Sequence, residues 1–95
     1  MAELKFEWDE SKAARNLAKH GVSLLTAAAV FANEIVERID DREDYGEVRF
    51  IALGRVEMTI YRIVYTWRSE GVIRIISAQK AARNEREIYY RQVFP

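Results

Sequence analysis

The spacing of apolar residues along the 95-residue chain changes from helical to alternating near Glu34. Before that point, small and aliphatic residues recur at helical spacing in two segments, which predicts two N-terminal helices. Asp9 stands where the first helix should begin and Gly21 where it should end, while Ser23 is placed to cap the second helix. A short apolar-rich segment from Leu4 to Trp8 precedes both helices and predicts an edge strand.

After Glu34, four segments alternate between apolar and polar residues and are rich in Val, Ile, Tyr and Phe, as is typical of strands. The predicted strands cover residues 35–39, 47–53, 57–67 and 72–77, with hairpin loops at 54–56 and 69–71. A helical pattern from 78 to 92 follows. The order β-α-α-β-β-β-β-α predicts an α+β fold, in which the two N-terminal helices pack on one face of an antiparallel sheet and a C-terminal helix completes the domain.

The length is that of a single domain, which we expect to span residues 1–95. The absence of Cys and the presence of one His exclude disulfides, thiolate zinc sites and multi-histidine metal sites. We therefore expect no metal or cofactor. No apolar run reaches the roughly 20 residues of a membrane helix, and the N terminus lacks a signal-peptide pattern, so we expect a cytoplasmic protein without membrane contact.

The net charge of zero conceals an uneven distribution of charge. Residues 1–48 contain 6 basic and 11 acidic residues, whereas residues 49–95 contain 9 basic and 4 acidic residues, and most of the basic ones are Arg. Because Arg makes bidentate contacts with phosphate, this excess indicates an anionic partner. The alternative is that the arginines only decorate solvated strands.

The predicted hairpin registers show which side chains share a face of the sheet. The first hairpin would set Leu53 opposite Met58, and the second would set Thr66 opposite Arg74. Together they place four arginines on one face, namely Arg49, Arg62, Arg68 and Arg74. The opposite face collects apolar and aromatic residues, which predicts the surface on which the first two helices pack.

Like charges opposite each other destabilise a sheet, so the arginine face requires a counter-ion. The counter-ion could be internal, from Glu47, Glu57 or Glu85, or it could be a phosphate backbone that crosses the face. Lys80 and Arg83, near the start of the final helix, would extend the positive surface.

Several short segments carry a family resemblance by their order and spacing. They are Phe6-Glu7-Trp8-Asp9, Lys19-His20-Gly21-Val22-Ser23, Gly46-Glu47-x-Arg49, Val64-Tyr65-Thr66-x-Arg68 and Arg74-Ile75-Ile76-Ser77-Ala78. From about Phe6 to Tyr89 the chain resembles the BrnT family, toxins of bacterial type II toxin–antitoxin pairs. It departs from the family in having Leu24 in place of the usual Phe and Gln79 in place of a basic residue.

The resemblance implies a RelE-like fold and a ribonuclease that cleaves mRNA and halts translation. It also implies neutralisation by a cognate BrnA-like antitoxin with a DNA-binding domain. Contact with operator DNA would then occur only through the antitoxin. A dimer, or a heterotetramer with the antitoxin, is the implied assembly.

Metal-free RNA cleavage uses the 2′-hydroxyl of the substrate as nucleophile and requires groups that stabilise charge and move protons. Arg49, Arg68 and Arg74 are the candidates for gripping the phosphate, because they lie on the predicted face and match the family segments. His20 is the candidate general acid, although it could equally be a structural residue at a helix end. Glu47 could be the base, but we favour a role as ion-pair partner of Arg49.

Further RNA contacts are predicted from Trp8 by stacking, from Lys12 on the first helix, and from Arg62, Lys80 and Arg83 by charge. The acidic turn at 40–44 could bind a divalent ion, but its spacing favours a solvated turn. The alternative function is a non-catalytic binding module whose arginine face docks an acidic partner or RNA.

Overall fold

Five strands and three helices form in the predicted order in the computed structural model, which describes residues 3–95. The elements are β1 (Lys5–Glu7), α1 (Glu10–His20), α2 (Leu24–Val30), β2 (Ile35–Asp40), β3 (Arg49–Val56), β4 (Thr59–Ser69), β5 (Val72–Lys80) and α3 (Arg83–Val93). The predicted α+β class is confirmed. Between residues 3 and 95, no helix is long and apolar enough to cross a membrane.

The sheet has the strand order β1-β5-β4-β3-β2. Strands β2 to β5 form the predicted antiparallel meander. However, β1 pairs with β5 in parallel, so the sheet is mixed rather than purely antiparallel. This parallel pairing brings the start of the chain beside the second half of the sheet.

The predicted caps of the N-terminal helices are confirmed. The Asp9 carboxylate accepts a hydrogen bond from the Lys12 N–H at 2.9 Å, and the Ser23 hydroxyl accepts one from the Leu25 N–H at 3.1 Å. Gly21 has a φ of 69° and donates its N–H to the Leu17 carbonyl, which ends α1. A residue with a Cβ would be strained at this φ.

The main core lies between α2 and the predicted apolar face of the sheet. Its sheet residues include Phe50, Tyr61, Ile63, Tyr65, Ile73 and Ile75, as expected. In contrast, α1 does not bury the apolar stripe that its sequence suggests, because Leu17 is 53% exposed. The buried side chain of this helix is instead the polar Asn16.

The first hairpin turns later than expected, at Glu57 and Met58, so that Leu53 pairs with Arg62 rather than with Met58. The predicted loop included Gly54 because glycine is common in turns, but here the missing side chain lets β3 pack closely against α2. A Cβ at Gly54 would collide with Val30 of α2. The register error is an even number of residues, so the face assigned to every side chain stays the same.

The second hairpin has the predicted pairing of Thr66 with Arg74, but its ladder shifts register twice, once at Arg68, which has no partner on β5, and once at a bulge in β5. Tyr65 pairs with Ile75 whereas Val64 pairs with Ser77, which leaves Ile76 as an extra residue in β5. Bulges re-aim neighbouring side chains and increase local twist. This one lies in the middle of the arginine face.

Strand β5 continues to Lys80, so α3 begins five residues later than the predicted start at 78. The helix packs on the arginine face at the end formed by β2 and β3, where a second core contains Leu53, Ile60, Ala81 and Tyr89. Because α3 covers this end, only the other half of the arginine face is open.

Candidate active site

The four predicted arginines lie on one face of the sheet, but only two of their guanidinium groups, those of Arg68 and Arg74, approach the same group, the Glu7 carboxylate. Each lies within ion-pair distance of a carboxylate: Arg49 at 3.0 Å from Glu47, Arg62 at 3.2 Å from Glu85, and Arg68 and Arg74 at 2.9 and 4.0 Å from Glu7. The internal counter-ions therefore include the predicted Glu47 and Glu85. They do not include Glu57, which lies in the tight turn and forms no ion pair between residues 3 and 95.

Glu7 was not found by sequence reasoning. Its pairing with Arg74 depends on the parallel contact between β1 and β5, which joins segments far apart in the chain. The side chains of Glu7 and Arg68 are about half-exposed. Exposed ion pairs contribute only about 0–1 kcal/mol, although the Glu7 Oε1 atom that faces both arginines is itself buried and accepts no hydrogen bond from residues 3–95.

Arg62 lies at the covered end of the arginine face. Its ion pair with Glu85 of α3 is mostly buried, and Gln79 stands opposite it on β5. This pair fastens α3 to the sheet. The position where the BrnT resemblance suggested a missing basic residue is therefore next to Arg62, away from the open half.

The open half contains a depression of about 360 Å³ beside Arg49. Val64, Ile76 and Ser77 line its sheet side, and Arg42, Glu43, Tyr45 and Arg49 line the rest. The Arg49 guanidinium lies over the Tyr45 ring at 4.2 Å from its centre. Stacking on Tyr45 and pairing with Glu47 both restrict the guanidinium, so Arg49 is held at the edge of an open cavity.

The loop that carries Tyr45 is fixed by an ion pair at its base. Arg42 donates two hydrogen bonds of 2.7 Å to the carboxylate of Asp40, whose side chain is fully buried. These bonds hold the pKa of Asp40 well below its usual range, against the opposing effect of burial. The acidic turn is therefore a structural loop, and residues 3–95 contain no group of three side chains suited to a metal.

An Asp40→Asn variant is expected to be less stable at pH 7 by about 1–3 kcal/mol, because the amide loses charge-assisted hydrogen bonds. The pKa of Asp40 is lower in the folded than in the unfolded chain, where it is about 3.9. Its stabilisation is therefore complete above the unfolded pKa and is lost as the pH falls toward the folded pKa. Urea unfolding from pH 7 to pH 2.5 should show the variant and wild type converging below about pH 4.

Asp41→Asn is the matched control, because this neighbouring carboxylate is exposed and forms no ion pair between residues 3 and 95. A stability gap for Asp40→Asn that stays constant down to pH 2.5 would contradict the role of the Asp40 charge.

A second depression, of about 320 Å³, shares two lining residues, Ile76 and Ser77, with the first. Its other lining residues all come from α1: Lys12, Arg15, Asn16, Lys19 and His20. We call the two adjacent depressions, on either side of Ile76 and Ser77, the basic groove. The groove brings together Arg49, His20 and Lys12, which sequence reasoning selected separately.

Other predicted contacts lie outside the basic groove. Trp8 lines a cleft between α1 and α2. Lys80 pairs with Tyr61 and so lies on the α2 side of the sheet, and Arg83 forms an exposed pair with Glu87 at 3.3 Å. The expectation that Lys80 extends the arginine face is wrong, because β5 runs on to Lys80 and its alternation turns that residue to the other face.

Both the sequence and the fold are similar to those of known proteins. Residues 8–85 match the family model described as the ribonuclease toxin, BrnT, of a type II toxin–antitoxin system. The fold is similar to the 1.1 Å crystal structure of the Brucella abortus ribonuclease toxin BrnT, with a TM-score of 0.64 and 22% identity over 84% of this chain and 99% of that chain. A comparison with curated proteins gave no match.

Proposed function

Because the chain belongs to the BrnT family of ribonuclease toxins of type II toxin–antitoxin systems, we propose that it cleaves mRNA in the basic groove without a metal ion and so arrests translation. The observation that supports this most is that two depressions, one lined by Arg49 and the other by His20, share Ile76 and Ser77 as lining residues. A fixed positive charge and an imidazole thus line adjacent depressions on the same surface.

In the proposed reaction, the 2′-hydroxyl of a nucleotide gives its proton to water and attacks the adjacent phosphorus. The bond to the 5′ oxygen of the next nucleotide breaks, which leaves a 2′,3′-cyclic phosphate and a 5′-hydroxyl. Arg49 stabilises the negative charge that develops on the non-bridging oxygens. Its stacking on Tyr45 and pairing with Glu47 hold it in place before substrate arrives, which is the arrangement that stabilises a transition state most.

His20 is proposed to donate the proton that the departing 5′ oxygen requires. The imidazole is partly exposed in the groove and forms no hydrogen bond or ion pair with another side chain of residues 3–95. A general acid contributes about 10²- to 10⁴-fold to the rate. We propose that Glu47 orients Arg49, and that Arg68 and Arg74 bind a neighbouring phosphate in place of Glu7.

A type II toxin acts with a protein antitoxin, and membership of the family implies such a partner for this chain. We propose that this partner is a BrnA-like antitoxin whose acidic side chains bind the cations of the basic groove. Operator DNA would then be contacted through the antitoxin alone.

The test is cleavage of a defined single-stranded RNA by the purified full chain in excess EDTA. We expect products that end in a 2′,3′-cyclic phosphate, identified by mass spectrometry. Activity that appears only after Mg²⁺ is added would exclude the metal-independent mechanism. RNA that binds but stays intact under both conditions would favour the non-catalytic binding module.

A further inference from the structure

The basic residues of α1 form a stripe along one side of the helix. Lys12, Arg15, Asn16, Lys19 and His20 follow the spacing of residues on a single helical face, and all five line the same depression. The sequence alone predicted no role in binding for Arg15 or Lys19. The structure instead makes them one wall of the basic groove.

Asn16 attaches this wall to the sheet. Its side-chain amide donates hydrogen bonds of 2.9 Å to the carbonyls of Ala78 and Val22, and its oxygen accepts one of 3.1 Å from the Ala78 N–H. Asn16 thus bonds to the edge of β5 as a neighbouring strand would. The helix is fixed at one rotation, with its basic stripe turned toward Ile76 and Ser77.

The cations of α1 differ from those of the arginine face in forming no ion pair between residues 3 and 95, although the Asp9 carboxylate interacts with Lys12 and Arg15 at longer range. Every predicted arginine of the sheet lies within 4.0 Å of a carboxylate. In contrast, the side-chain nitrogens of Lys12, Arg15 and Lys19 form no ion pair with any carboxylate between residues 3 and 95. No acidic residue lines this depression. Three positive charges that form no direct ion pair, all on one rigid wall, suit a polyanion.

We propose that α1 is the principal wall on which single-stranded RNA binds, with Arg15 and Lys19, together with Lys12, contacting the backbone phosphates beside the scissile one. This inference rests on the proposed function. Contacts to phosphate position a strand but read no base, so the wall binds RNA without sequence preference. It acts on substrate affinity, whereas Arg49 acts on the chemical step.

The experiment compares wild type with Arg15→Gln/Lys19→Gln in binding a 2′-O-methyl oligoribonucleotide, which lacks the nucleophile and cannot be cut. Each phosphate contact on a single strand adds about 0.7 to the slope of log affinity against log salt concentration. The slope for the double variant should therefore be lower by about 1.4. With cleavable RNA, KM should rise while kcat stays within about twofold, as expected for loss of uniform binding.

Arg38→Gln/Arg91→Gln is the matched control, because it removes two exposed positive charges outside the basic groove. It should keep the wild-type slope. If wild type cuts RNA but the Arg15/Lys19 variant keeps the wild-type slope and KM, the inference fails and the proposed function stands. A loss confined to kcat would also overturn it. If wild type neither binds nor cuts RNA, the proposed function itself fails.

Discussion

An Arg49→Ala variant should cleave RNA about 10²- to 10³-fold more slowly than wild type, the loss found when a preorganised group that stabilises transition-state charge is removed. The variant also leaves the Glu47 carboxylate without its partner at the edge of the groove, where it repels the phosphate. Single-turnover cleavage in EDTA, with RNA bound before the reaction starts, measures the chemical step directly. The melting temperature should stay near that of wild type, because Arg49 is only partly buried.

Three further variants serve as controls for this result. Arg38→Ala removes an exposed arginine from the neighbouring strand β2 and should leave the rate unchanged. Arg49→Lys keeps the charge but loses the planar, bidentate donor, and it should recover only part of the lost rate. Undiminished cleavage by a folded Arg49→Ala/Arg68→Ala variant would remove the proposed mechanism.

The largest effect on stability is expected from Asn16→Ala. Truncation leaves the Ala78 N–H and the carbonyls of Ala78 and Val22 without partners in a buried place. Unsatisfied buried groups cost about 1–3 kcal/mol each, and with partial relief by water we expect a loss of about 2–4 kcal/mol in the free energy of unfolding. Urea denaturation followed by circular dichroism measures the change.

Asn33→Ala is a matched control for this prediction. Its side chain also donates a hydrogen bond to a backbone carbonyl, that of Arg55 at 2.8 Å, but at an exposed site where water can replace it. We expect a loss below about 1 kcal/mol there. Equal losses for the two variants would show that Asn16 does not fasten α1 to β5.

The hairpin between β3 and β4 shows which structural features the local residue pattern can predict and which it cannot. The alternation of apolar and polar residues assigned each side chain to the correct face, even though the turn was placed at 54–56 instead of at Glu57 and Met58. Gly54 resembles a turn residue in sequence, and only its contact with α2 reveals a packing role. Register is a long-range property, because both registers satisfy the same alternation.

The basic groove, in contrast, depends on features that the local sequence pattern does not predict. Its α1 wall depends on Asn16, a polar residue on what the sequence presents as the solvated side of an amphipathic helix. The side of the groove formed by the sheet depends on the bulge at Ile76, which the alternation of apolar and polar residues does not predict. The ion-pair partner Glu7 depends on a parallel strand pairing over more than sixty residues of chain. None of these features has a local pattern that predicts it.

The sequence by itself determined the element order, the caps at Asp9, Gly21 and Ser23, and the face of the sheet on which each arginine lies. These features follow from interactions between residues close together in the chain and from the two-residue repeat of a strand. Only the tertiary structure decided which carboxylate pairs with which arginine. It also decided that Lys12, Arg15 and Lys19 of α1 form no ion pair among residues 3–95. Those outcomes depend on contacts between distant segments, whose geometry is set by packing of the whole domain.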